Sequence, residues 1–318
     1  MTLVLRGLHA PKEGGDHEYQ DAYAPSVDTL EIASYPFYAA ISDGASESIH
    51  SGIWAQLLVN AYVESRPNTK DKKQIRMLVE RKASEQWARQ MRAKYPDLAD
   101  WSKERSAWDI FLKSTSNWLS RWKDILGEDW LWKQCPNCGN QGKPGFHMWA
   151  NYCGDCGSRF PVTPWYVAEA LSKGSFATFL GIELDLKKCS AVCWGDTCLF
   201  HVLGDHSLHP FPVKEAGLFS NTPDLVCSNP QGNEQFWNGP AVKFERFSWR
   251  RGDSLVLATD ALAKWFLTQA QHGKHPDDEI LNLIEMEDPH FSEWVAQLKE
   301  NSELVNDDIT LLVLKESR

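Results

Sequence analysis

Two short apolar runs, each ending on an aspartate, constrain this chain more than any other feature. Phe37-Tyr38-Ala39-Ala40-Ile41-Ser42 stops at Asp43-Gly44. Far along the chain, Ser254-Leu255-Val256-Leu257-Ala258-Thr259 stops at Asp260-Ala261. Runs of this length, closed by turn residues, read as buried strands rather than helices. Two more aspartates sit beside strand-like runs, Asp21 in Tyr19-Gln20-Asp21-Ala22-Tyr23 and Asp307 in Asn306-Asp307-Asp308-Ile309-Thr310. Carboxylates delivered by strand ends from both halves of a chain can converge on hard divalent cations, which prefer oxygen ligands.

The rest of the pattern surrounds these strands with helices. Val27–Ala33 and Phe37–Ile41 flank a Ser34-Tyr35-Pro36 break, which predicts an antiparallel pair. A helix is expected from Ser51, with Ile53, Trp54, Leu57, Leu58, Ala61 and Tyr62 on its apolar face. A second is expected from about Asp71 to Lys94, closed by Pro96. Trp108 to Leu126 repeats the helical period, and Trp165 to Leu171 reads as a short helix. Further strands are expected at Phe176–Glu183, Ser190–Trp194, Leu199–Leu203, Val242–Phe247, Ser254–Thr259 and Ile309–Leu314. Late helices are expected at Asp260–Gln269, Pro276–Met286 and Phe291–Lys299. This segregation predicts an α+β layered fold rather than alternating βαβ units.

Charge narrows the function classes. The net charge of −10 argues against a general nucleic-acid binder, since phosphate backbones demand cationic surface. The apolar start Met1–Leu5 is broken too early by Arg6 for a secretory region, and no run approaches the roughly 20 residues of a membrane span. A soluble cytoplasmic protein is therefore expected. Between 131 and 160 the character changes: Cys135-Pro136-Asn137-Cys138-Gly139 and Cys153-Gly154-Asp155-Cys156-Gly157 form two C-x2-C knuckles. Their spacing suits one tetrahedral, closed and hence structural zinc, in a unit resembling a zinc ribbon. Cys189, Cys193, Cys198 and Cys227 read as buried, inert thiols. His206 and His209 read as solvated residues of a polar loop.

Taken in order, Gln20-Asp21, Ser42-Asp43-Gly44, Gly195-Asp196-Thr197, Gly252-Asp253, Thr259-Asp260-Ala261 and Asp307-Asp308-Ile309-Thr310 carry a resemblance. The chain resembles the metal-dependent Ser/Thr protein phosphatases of type 2C over residues 1–95 and 165–318. The resemblance implies a four-layer αββα sandwich, two antiparallel sheets flanked by helices, interrupted by a helical and zinc-ribbon insertion at 96–164. It implies a signalling hydrolase that cleaves phosphoserine and phosphothreonine monoesters with a metal-activated water and no covalent intermediate. Asp43 corresponds to the carboxylate that bridges two Mn2+ or Mg2+ ions, and Gly44 to a backbone-carbonyl ligand. Asp21 corresponds to the acidic residue after the first strand, acting directly or through water. Asp260 and Asp307 correspond to the remaining ligands, with Asp21, Asp43 and Asp260 as the catalytic carboxylates. Gly195-Asp196 is similar to a strand entry of structural role.

There are departures from the family pattern. The phosphate-binding arginine about five residues before the first acidic position is replaced by Asp16, leaving Arg6, Lys12 or His17 as substitutes. Ala261 stands where the family has glycine. The acidic residue before the central strand is absent around Lys173-Gly174-Ser175. Two readings follow: an active phosphatase whose zinc-ribbon insertion engages a phosphoprotein substrate or partner, or a weakly active or inactive scaffold of the same fold.

Overall fold

The structure is a computed structural model that describes residues 3–13, 19–95, 163, 165–220, 222–250, 252–285 and 290–316. The helical pattern at 108–126, the paired cysteines, Asp16 and His17 lie outside the described residues. The chain divides into two compact units, one of Met1–Trp87 with Gly174–Arg318 and the other of Ala88–Lys173. In the second unit, the described residues include the helix Trp165–Lys173.

The larger unit contains two antiparallel sheets. One is six-stranded, with β3 (Thr29–Ile32), β1 (Leu3–Ala10), β13 (Ile309–Glu316), β12 (Ser254–Ala258), β8 (Cys198–Val202) and β9 (Leu208–Phe211) in that order. The other is five-stranded: β11 (Lys243–Ser248), β7 (Lys188–Trp194), β6 (Phe179–Leu184), β4 (Phe37–Ser42) and β2 (Ala22–Ala24). A two-stranded ladder joins β5 (Phe176–Ala177) to β10 (Val226–Cys227).

The two-residue period of a strand sorts its side chains between layers. Leu255 and Leu257 of β12, and Leu312 and Leu314 of β13, enter a core between the sheets with Ala39, Ile41, Leu180 and Ile182. Their alternates Val256, Ala258, Leu311 and Val313 face outward. There they meet the helices Asp260–Gln271, Pro276–Glu285 and Phe291–Glu300 through Leu262, Phe266, Ile280 and Val295. Strands buried on both faces read as unbroken apolar runs, which is why Ser254–Ala258 contains no polar alternation. Full burial of each such leucine contributes about 1.5–3 kcal/mol. On the opposite side, helix Ser51–Ser65 buries Trp54, Leu58 and Tyr62. Tyr62 meets Tyr38 and Phe179 edge-on, at 5.8 and 5.4 Å between centroids.

The structure corrects three expectations. Val27–Ala33 and Phe37–Ile41 do not pair: β4 has both edges occupied by β2 and β6, so β3 joins β1 in the other sheet. The helix expected over 71–94 is not uniform. A π-helical turn at Leu78–Ala83 separates Lys72–Met77 from Ser84–Lys94, and both the amide and the hydroxyl of Ser84 donate to the Val79 carbonyl. The added residue keeps Leu78, Val79 and Ala83 buried and brings Trp87 Nε1 to 3.1 Å from Ser175 Oγ. The run Phe176–Glu183 also divides, because Thr178 leaves the ladder between β5 and β6. That break belongs to the site described next.

A candidate two-cation carboxylate site

One end of the sandwich gathers loops from both sheets. The chain leaves β4 at Asp43, enters β2 after Asp21, enters β8 after Asp196, leaves β12 at Asp260 and enters β13 after Asp307. The antiparallel registers Ala22↔Ser42 and Ala258↔Cys198 align these loops within each sheet, and the Gln20–Asp308 and Thr178–Thr197 bonds tie the two sets together.

Each carboxylate is positioned by local bonds. The amide of Thr178 donates to the Asp43 carbonyl at 2.9 Å, and the Asp43 amide donates to Thr178 Oγ1 at 3.1 Å. Thr178 Oγ1 also lies 2.7 Å from Thr197 Oγ1, which ties the Asp43 loop to the Asp196 loop. This is why the strand expected through 176–183 must break. Gly44 donates its amide to the Gln20 carbonyl at 3.1 Å. A Cβ there would come within 2.7 Å of Gln20 O and of Ser51 C, both backbone atoms, so only glycine fits. The amide of Thr259 donates to the Thr310 carbonyl at 3.2 Å, and the Thr310 amide donates to Thr259 Oγ1 at 3.0 Å. Those bonds lock the Asp260 loop to the chain that follows Asp307. Asp308 works as a latch: its oxygens accept from the amides of Lys12 and Gln20, each at 2.9 Å.

The electrostatics are those of concentrated negative charge. Burial raises the Asp43 carboxyl well above the ordinary carboxylate range, and Asp21, Asp260, Asp196 and Asp307 raise it further. Part of Asp43 remains accessible from the surface. Asp21 is also pushed well up, by burial first and then by Asp260 and Asp308, against the opposing effect of the Thr259 hydroxyl. Burial and Asp260 lift Asp196 to about 7, and burial and Asp307 lift Asp260 to about 6. Lys243 and Lys264 offset only part of this. Both oxygens of Asp21 are buried, and the Thr259 and Thr310 hydroxyls are the groups beside it that favour the charged form. A buried carboxylate with so few donors carries a large desolvation cost, which a bound cation would offset. The donor set is entirely oxygen, and it suits Mg2+ or Mn2+.

The structure therefore brings Asp21, Asp43, Asp260 and Asp307 into mutual electrostatic range and places Gly44 on the same loop. It adds Asp196, which the sequence reading assigned to a structural strand entry. The signal for Asp196 was its place between two buried strands, the same layout as Asp43 and Asp260. Asp253 lies elsewhere, at the opposite end of the sandwich, 2.8 Å from His201 Nε2. Arg6 is engaged away from the aspartates, donating to the Ile284 carbonyl and, at 3.2 Å, to Thr29 Oγ1. Cys189, Cys193, Cys198 and Cys227 are buried cysteines in the thiol form. Among the described residues, no helix is long and apolar enough to cross a membrane.

No family model matches the chain, and no curated protein matches it. Among solved structures, the chain is similar to the catalytic domain of serine/threonine protein phosphatase PstP in complex with 2 manganese ions. Identity is 14%, the TM-score is 0.47, and 99% of each chain is covered. It is similar to the Mycobacterium tuberculosis serine/threonine phosphatase PstP/Ppp at 12% identity and TM-score 0.46, over 100% of each chain. It is also similar to PppA, a key regulatory component of T6SS in Pseudomonas aeruginosa, at 12% identity and TM-score 0.44, over 99% of this chain and 98% of that one.

Proposed function

We propose that this chain is a metal-dependent phosphoserine/phosphothreonine protein phosphatase of the cytoplasm, using water as the nucleophile and forming no covalent intermediate. The observation that carries the reading is the set of aspartates that act on Asp43 from four loops, with Asp21 buried and its charge favoured only by the Thr259 and Thr310 hydroxyls. Asp43 would bridge two cations, with Asp21, Asp260, Asp307 and the Gly44 carbonyl completing their shells. When bound, the two Mn2+ or Mg2+ ions supply the charge that neutralises a phosphoryl group and the acidity that makes water nucleophilic.

The chain's own residues do the positioning. Thr178 and Thr197 hold the Asp43 loop against the Asp196 loop, so the carboxylates are fixed before substrate arrives. The Asp308 latch fixes the backbone at Gln20, next to Asp21. The partial exposure of Asp43 leaves an approach for a phosphorylated side chain carried on a protein. The insertion at 96–164, with one structural zinc on Cys135, Cys138, Cys153 and Cys156, would present the docking surface for that protein. Deleting 131–160 should spare hydrolysis of a small phosphoester and depress hydrolysis of the protein substrate.

The test is hydrolysis of a phosphothreonine peptide with and without Mn2+, comparing the native chain with Asp43→Asn and Asp260→Asn. Manganese-dependent turnover lost in both variants supports the enzyme. Absence of turnover from folded, metal-loaded protein on several phosphopeptides overturns it and favours a scaffold that binds phosphoproteins.

A further inference from the structure

A second cluster of metal-ligating side chains stands at the other end of the sandwich. Strand β8 begins beside Asp196 and runs to Val202, delivering the turn that carries His206 to the far end. Helix Asp260–Gln271 starts at the aspartates and leads the chain back the same way, to His275 and the helix Pro276–Glu285. There His206 Nδ1 lies 2.7 Å from Asp277 Oδ2, and His275 Nδ1 lies 4.0 Å from Asp277 Oδ1. Among the described residues, only His206, His275 and Asp277 bring three ligand atoms within 4.8 Å of one another.

The three residues differ in a useful way. Asp277 is 5% exposed and held in the first turn of its helix, while the imidazoles of His206 and His275 are exposed. The rings stand 5.4 Å apart at 64°, so they are not stacked face to face. A tetrahedral ion with bonds of about 2.0–2.1 Å separates its ligands by roughly 3.3 Å. Closing the cluster to that spacing needs only rotation of two solvated side chains about a fixed carboxylate. Asp278 Oδ1, 3.6 Å from His206 Nδ1, adds negative charge beside the same point.

We propose that His206, His275 and Asp277 form a third cation site, selective for a borderline transition metal of the Zn2+ class and separate from the aspartate end. Two imidazoles and one carboxylate favour Zn2+ over Mg2+ or Mn2+, which prefer all-oxygen shells. Water completes the coordination, because the histidines face solvent. The ion clips the turn after β8 to the start of helix Pro276–Glu285, reinforcing the His206–Asp277 and His206–Asp278 contacts. Sequence reading passed over the site because His206 was weighed against His209, its neighbour in the chain.

The experiment is a Zn2+ titration of the full-length protein in excess Mg2+, which occupies the oxygen sites. Equilibrium dialysis gives the number of zinc ions bound, and circular dichroism confirms folding. Two variants are compared with the native chain, His206→Ala and His275→Ala. Both substitutions are at exposed side chains. The proposal expects each variant to lose one zinc equivalent per chain, or to bind it at least tenfold more weakly. A Cys135→Ser/Cys138→Ser variant should lose a different equivalent and keep this one. Unchanged zinc stoichiometry and affinity in both histidine variants overturns the proposal. That outcome leaves the phosphatase reading intact, since none of these measurements uses turnover.

Discussion

The two ends of the same sandwich treat aspartate in opposite ways. At one end Asp21, Asp196, Asp260 and Asp307 all raise the Asp43 carboxyl, and the rise of Asp21 itself is opposed only by the Thr259 and Thr310 hydroxyls. At the other end the buried carboxylates Asp253 and Asp277 are matched. Asp253 Oδ2 bonds His201 Nε2 at 2.8 Å and accepts from the Arg250 amide at 3.0 Å, and Asp277 bonds His206. His201 is further packed against Phe247, 4.3 Å between centroids, sealing that end between the sheets. Breaking a matched buried pair leaves an uncompensated group, whereas crowded carboxylates disfavour their own charged forms, a cost that the cations of the proposed function would offset.

The largest test of this contrast is catalytic. Asp43→Ala is expected to cost at least about 10²–10³-fold in manganese-dependent turnover. Asp253→Ala should leave turnover per folded molecule unchanged. Equal losses in steady-state assays on a phosphothreonine peptide would erase the distinction between the two ends.

Next comes linkage. Mg2+ at about 100 times its dissociation constant should raise unfolding free energy by about 2.7 kcal/mol for each ion bound, because the ions bind the folded chain only. Urea unfolding at several Mg2+ concentrations reads this directly, and Asp43→Asn should abolish the increment. An increment that survives in Asp43→Asn would move the cation elsewhere.

The paired end predicts the reverse. Asp253→Ala strands His201 Nε2 and the Arg250 amide, and should destabilise the protein by about 1–3 kcal/mol whether or not Mg2+ is present. Asp43→Asn removes a repelled charge and should leave metal-free stability equal or higher. Chemical denaturation in metal-free buffer separates the two.

The smallest expected effect is on pH dependence. Asp196 and Asp260 in the folded chain titrate at about 7 and about 6, above the ordinary aspartate value of roughly 3.9 in an unfolded chain. Between those values the folded state holds more protons, so metal-free stability falls as pH rises from about 4 through 7, and the raised Asp21 and Asp43 act in the same direction. Denaturation midpoints at pH 5 and pH 8 should therefore decrease with pH, and Mg2+ should flatten the trend. A rise with pH would mean the carboxylates are already compensated.

Much of this was legible in the sequence because it is local. Ser254–Ala258 is apolar on both faces, and that alone marks a strand between two layers. The stop at Asp43-Gly44 marks a loop, and the helical stripe through Trp54, Leu58 and Tyr62 marks a helix covering a sheet. Less legible was anything decided by a competitor far along the chain. β3 and β4 looked like a hairpin, but β2 and β6 occupy both edges of β4. Phe176–Glu183 looked continuous until Thr178 was claimed by Asp43, 135 residues away.

What the sequence determined by itself was the inventory: which runs are strands, which faces are apolar, and which strands end on a carboxylate. Those follow from periodicity and turn chemistry, which act over a few residues. Only the tertiary structure decided which carboxylates meet. Asp196 and Asp253 both adjoin glycine and a buried strand, yet antiparallel register sends one to the crowded end and the other to His201. Register is set by pairing across the sheet, between residues such as Ser254 and Val202, and no short-range signal carries it.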